Sequence, residues 1–296
     1  MIGQAFHVLV AVAAFAASAS GQAAGRLTAV AGPATSGVTL ALTPAEYNNT
    51  VADLLGFPRD GKRWPERSAL ADKLSPFRAA STGVFLPPPP PPVWPWRFPS
   101  EPGSDGFEGI LQGQDPSSYQ VEELHLAAMH FASFVLESPT FFTCDEWAAL
   151  SVNTQEVCAW ESIERFAKRA YRRPLRLAEL DRLRAFWQVN LTGGQLDEAI
   201  ALTAAGILQV PSVHFRLESS DPSVPVSQWE LATRLSYFLW DSMPDEELFA
   251  AAASGQLSLV EDVEYQVRRM LDDPRARSAI VHFHHQWLGT DEVLLV

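Results

Sequence analysis

Residues Leu196 to Gln209, wound into a helix, are apolar on most of the circumference. A helix without a polar face has to be surrounded, so its neighbours must enclose it as a central rod. The preceding sequence supplies suitable partners. Ala159 to Tyr171 carries Trp160, Ile163, Ala167 and Ala170 at helical spacing, and Arg172-Arg173-Pro174 ends it, because a residue before proline is pushed out of the helical region. A helix from about Leu177 then sets Leu180, Leu183 and Trp187 on one side and breaks at Gly193-Gly194.

Further helices are marked by caps. Thr43 as cap, Pro44 in the first turn and Glu46 closing a capping box predict a helix to Leu55 that stops at Gly56, with Leu42 stapled onto Tyr47. Its Asn48-Asn49 pair is poor in helix propensity, so something beyond local preference must hold it there. Ser117 with Gln120 opens a helix striped by Leu124, Ala128, Phe131 and Val135. After the Pro-rich link Asp221 to Val226, a helix over Gln228 to Trp240 is expected to face inward with Leu231, Leu235, Phe238 and Leu239. Another runs from near Pro244 to Gly255. Ser258 and Glu261 predict a third capping box for a helix through Val263, Val267 and Met270, and a final helix spans Arg275 to Leu288. Period-two alternation is confined to Val213 to Leu217, so the fold class is all-α, in bundle-like domains. The irregular stretch from Phe57 to Gly113 contains six successive prolines, Pro87 to Pro92. They form a rod of about 19 Å, read as a spacer or insertion, with Trp94 and Trp96 packed against it.

Acidic residues outnumber basic ones by 35 to 22, a net charge of -13. Nucleic acid and anionic membranes are thereby disfavoured as partners, since both need a basic face. Ala5 to Ala19 is an apolar stretch followed by small residues, which reads as a signal peptide over residues 1–24, although Met1 to His7 lacks the usual positive charge. Export follows, with no stable membrane span after cleavage; an uncleaved anchor is the rival reading. In an oxidising compartment Cys144 and Cys158 are expected to form a disulfide, worth about 3 kcal/mol by closing a short loop. Neither cysteine lies in a haem-attachment or zinc-knuckle string, and no cofactor is expected in this chain.

Residue types that could carry chemistry all have a plainer reading. His282 and His285, three apart on the last helix, are the candidate metal ligands, with Asp291 or Glu292 as the nearest additions. On the wheel they lie away from Ala276, Ile280, Phe283 and Trp287, which favours solvated histidines over a metal site. His125 and His130 are five apart and read as packing or surface residues. Arg172 and Arg173 with Glu179 and Asp181 suggest an ion network clamping two helices, or an anion site. Arg234, Tyr237 and Trp240 could line a cleft, but such aromatic density is more often core. No phosphate loop, nucleophile elbow or His-Glu-x-x-His string is present, so no catalytic residue is assigned.

Four strings carry a family resemblance: Leu42 to Gly56, Arg165 to Leu175, Ile207 to Glu218 and Glu230 to Leu288. Together they resemble the large secreted proteins of planctomycetes and myxobacteria, built from uncharacterised helical domains and often associated with c-type cytochrome modules. The resemblance implies an exported helical accessory or interaction module of a larger cytochrome-associated protein, partnered by a c-type cytochrome or by further domains. An extracellular enzyme acting on a polymer such as a polysaccharide is the alternative. Three helical domains are expected: 40–140 with the Pro-rich insertion, 141–220 with the cysteines, and 227–296, incomplete at its C-terminus.

Overall fold

The computed structural model describes residues 37–61, 64–65, 68, 70, 74, 95–96, 98, 118–219 and 225–288. The expected signal peptide, the proline run, Trp94, Ser117, Asp291 and Glu292 lie outside these residues. In chain order the elements are β1 (Gly37–Ala41), α1 (Pro44–Leu55), α2 (Ser118–Ala132), α3 (Val152–Ala170), α4 (Leu177–Gly193), α5 (Leu196–Leu208), α6 (Pro211–His214), β2 (Phe215–Ser219), α7 (Gln228–Trp240), α8 (Glu246–Ser254), α9 (Val260–Asp272) and α10 (Pro274–Leu288). The fold is all-α apart from one antiparallel pair, β1 with β2, in which Leu40 faces Arg216 and Ala41 faces Phe215. The expected strand therefore begins two residues late, because Val213 is taken into the short helix α6.

The chain divides into two compact units. Among the described residues, the first holds 118–214 with 51–61 and the single positions up to 98; the second holds 37–50, 215–219 and 225–288.

In the first unit α5 is the central rod. Every residue from Ala199 to Leu208 is buried, and α2, α3 and α4 pack against it. Two polar contacts lie inside: the Asn190 amide donates to Thr203 Oγ1 at 3.1 Å, and His125 Nδ1 lies 2.7 Å from Gln209 Oε1. His130 packs among the rings of Trp96, Phe131 and Phe134, so both are packing histidines. The Trp96 indole N–H reaches Glu123 at 3.3 Å. Cys144 and Cys158 form a disulfide across a Cα separation of 6.1 Å, fastening the segment before α3 onto that helix. Helix α3 starts earlier than the apolar stripe indicates, because Ser151 caps it by accepting from the Thr154 amide.

Arg172 ends α3 in the left-handed region at φ 59°. Its buried guanidinium donates to the carbonyls of Ser212 at 2.7 Å and Val213 at 3.0 Å, holding the turn of α6. Arg173 pairs with Glu179 at 2.8 Å, while Glu179 Oε2 also accepts from the Arg176 amide at the start of α4. The hydrogen bond and charge of Arg173 hold the Glu179 carboxyl below its usual range. Asp181 is exposed. The cluster is thus a structural clamp built from Arg172, Arg173 and Glu179. At the end of α1, Gly56 takes φ +70°, and a Cβ there would stand 2.5 Å from Thr140 Oγ1. A helix C-cap needing a left-handed backbone against another chain segment calls for glycine.

In the second unit the core is built from Ala232, Trp240, Leu248, Ala252, Met270 and Ala276 with their neighbours. Trp240 is fully buried and donates its indole N–H to the Met270 carbonyl at 2.9 Å. Three expectations need correction here. The cap of α9 is Leu259, with no side-chain bond, because the preceding 3-10 turn commits the Ser258 hydroxyl to the Gly255 carbonyl at 2.8 Å. Phe238 does not face inward: it is 81% exposed, and Ala232, Ser236, Tyr237 and Trp240 form the buried side of α7. The apolar face expected for α10 is buried only in part. Ala276 and Ala279 are its buried residues, with His282, His285 and Gln286 half-buried, whereas Ile280, Phe283 and Trp287 are exposed. Small side chains let two helices approach closely, so packing buries the alanines of this face and leaves its bulky members in solvent.

Candidate binding cleft

Within the second unit, β1, β2, α7, α9 and α10 enclose a cleft of about 930 Å3. Its apolar walls come from Leu40, Leu235, Leu239 and Leu271, and its lips from Phe238, Ile280 and Phe283. These lips are the residues that α7 and α10 leave in solvent, each at least half exposed.

A strip of charge crosses one wall. Residues two apart on a strand share a face, so β2 presents Arg216 and Glu218 together. Arg216 pairs with Glu46 at 3.1 Å and stands 3.9 Å from Glu218. Arg234 of α7 lies 3.5 Å from Glu218 and 2.5 Å from Glu230, one helical turn away. The Arg216 guanidinium also sits 4.6 Å above the ring of Tyr237, whose hydroxyl meets Thr50 Oγ1 at 2.8 Å. Glu46 does two jobs. Its Oε2 accepts from the Thr43 amide at 2.8 Å while Thr43 Oγ1 accepts from the Glu46 amide, which completes the expected capping box; its Oε1 takes Arg216. Burial raises the Glu46 carboxyl above its ordinary value against the pull of Arg216 and the Thr43 amide, and the charge of Asp241 raises it further.

Asp241 ends α7 at φ 50°. Its carbonyl accepts from the Asn49 side chain at 3.2 Å, and Asn48 bonds back to the Pro44 carbonyl at 2.8 Å. Those bonds account for an Asn pair that helix propensity disfavours. The Asp241 carboxylate reaches His282 Nδ1 at 2.9 Å, and the Gln286 amide lies 2.8 Å from His282 Nε2. An amide N–H donating to Nε2 leaves the imidazole proton on Nδ1, directed at Asp241.

His282 thus lies in the cleft wall, and His285 is half-buried on the same helix. Among the described residues no group of three or more His, Cys, Asp or Glu side chains is arranged to hold a metal ion. Arg234 and Tyr237 line the cleft while Trp240 belongs to the core beneath it. Sequence reasoning took Glu46 for a helix cap and overlooked Arg216 and Glu218. The readable signal was the Arg-x-Glu alternation in the strand.

Two stretches match known protein families. Residues 226–296 are similar to PSD4, a protein of unknown function (DUF1592), and residues 158–218 to PSD5, a protein of unknown function (DUF1595). The first takes in α7 to α10 and the second ends at Glu218 in β2. No curated protein matches the chain, nor does any solved structure.

Proposed function

We propose that the chain is a helical interaction module of an exported protein, and that the apolar cleft of its second unit is the docking surface. The observation that carries this reading is the contrast inside the cleft: aliphatic and aromatic side chains line an open concavity, while the carboxylates of Glu46 and Glu218 are engaged by guanidinium groups. Apolar surface rimmed by polar groups marks a site for a partner. Export is supported by the disulfide and by the signal-like N-terminus. No described helix is long and apolar enough to cross a membrane. The partner class, a c-type cytochrome module, comes from the resemblance of the four sequence strings to cytochrome-associated secreted proteins. The test is a titration of isotope-labelled chain with a c-type cytochrome module, followed by NMR. Docking shifts amide signals in β2, α7 and α10; an unchanged spectrum overturns the proposal.

The alternative of an enzyme acting on a polysaccharide has one observation in its favour, the Asp241–His282 pair in the wall of a cleft. A carboxylate that orients an imidazole is a common arrangement for a general base, and Gln286 would have to yield Nε2 to the substrate. Release of reducing ends from a polysaccharide panel, abolished in His282→Gln, would establish it; no release from any substrate removes it.

A further inference from the structure

We infer that the occupant of the cleft is a cationic amphipathic helix presented by the partner protein, an inference that rests on the docking reading above. The shape argument comes from the lips. Phe238 on α7 and Ile280 and Phe283 on α10 stand in solvent around an apolar floor formed by Leu235 and Leu239. That is the form of a groove that receives the apolar stripe of a helix, whose anchors recur at three- and four-residue intervals. At about 930 Å3 the cleft exceeds what a single side chain fills.

Charge decides which helix fits. The described residues of the second unit carry twelve Asp and Glu against six Arg, with no Lys. Around the cleft the same imbalance holds: Glu46, Glu218, Glu230 and Asp241 stand against Arg216 and Arg234, and each of these arginines is already engaged with two carboxylates. An approaching polar face bearing Lys or Arg is attracted by this field, and an acidic one is repelled. A second copy of the chain is disfavoured by the same argument, because a two-fold contact through this face would bring two acidic units together.

Two synthetic amphipathic peptides of about 18 residues, or five helical turns, test the inference. They share one leucine stripe, and their polar faces carry Lys in one and Glu in the other. Binding to the full chain is read by fluorescence anisotropy. The Lys peptide should bind at least about tenfold tighter than the Glu peptide, and its affinity should fall as salt rises. The double variant Phe238→Ser/Phe283→Ser, with both positions on the surface, should weaken the Lys peptide about tenfold, whereas Val260→Ser, at an exposed position outside the cleft, should not. Equal affinity for the two peptides, lost together in the double variant, overturns the choice of a cationic helix and leaves cleft docking standing. Failure of both peptides while the cytochrome module still shifts β2, α7 and α10 overturns the helical occupant alone. Binding indifferent to the double variant overturns the site, and concentration-dependent dimers that disappear in the double variant overturn it in favour of a second copy.

Discussion

Acidification should loosen the first unit through one side chain, His214. This residue lies buried at the end of α6, and burial lowers its pKa from 6.5 to about 4; the bond to the Leu208 carbonyl pulls upward, and the charge of Arg172 adds to the depression. The sign follows from proton binding. Above pH 6.5 the imidazole is neutral folded or unfolded and contributes nothing to pH dependence. Between 6.5 and 4 the unfolded chain takes up a proton that the folded chain refuses, so stability is lost as the pH falls. From pH 7 to about 4.5, those two values give roughly 2–3 kcal/mol, or about 60-fold in the opening equilibrium. Hydrogen exchange of the α5 amides, corrected for intrinsic rates, reports this opening in the unit concerned. Buried carboxylates elsewhere also titrate in this range, so the comparison is with His214→Gln, whose amide does not titrate. The variant should lose about 60-fold less protection than the parent chain across the same interval, whatever its stability at neutral pH. Parallel pH profiles for the two proteins would refute the claim that His214 is buried neutral. Glu46, in the second unit, works with the opposite sign: its raised carboxyl favours the folded state at low pH, and that contribution fades as the pH rises past its folded value.

Arg172→Met keeps the length of the side chain but strips the carbonyls of Ser212 and Val213 of their donor. It should cost about 2–3 kcal/mol in denaturant unfolding, and NMR titration should find the His214 pKa moved upward, because a positive neighbour has gone. Gly56→Ala forces a Cβ against Thr140 at a left-handed backbone position, and a loss of about 1–3 kcal/mol is expected by the same assay; an unchanged midpoint would mean that α1 does not end as described. Cys144→Ser/Cys158→Ser should lower stability by about 3 kcal/mol, with a matching gain in sensitivity of the segment before α3 to proteolysis.

How far the sequence could be read depended on whether a feature is local. The capping box at Thr43 and Glu46, the stop at Gly56 and the bounds of α7 were legible, because such signals act within four residues of one another. The all-apolar α5 declared its own burial. Ser258 misled because a hydroxyl at a helix start has competing acceptors, and here the Gly255 carbonyl in the preceding turn wins. The orientation of α10 misled for a different reason. Its apolar stripe carries Ala276 and Ala279 together with Ile280, Phe283 and Trp287; bulk points to the last three, whereas close packing buries only the alanines. That choice put His282 beside Asp241 and left three large apolar side chains in solvent.

The chain alone determined that it folds as helices, where most of them start and stop, that one must be enclosed, and that its two cysteines join. These follow from hydrogen bonding along a single segment, from apolar periodicity, and from a loop that closes over a short distance. The tertiary structure decided which face of α7 and α10 is buried, that Glu46 meets Arg216 from a strand 170 residues away, and hence that a cleft exists at all. Those outcomes depend on which surfaces fit together most closely in space, and no signal confined to a few neighbouring residues encodes that.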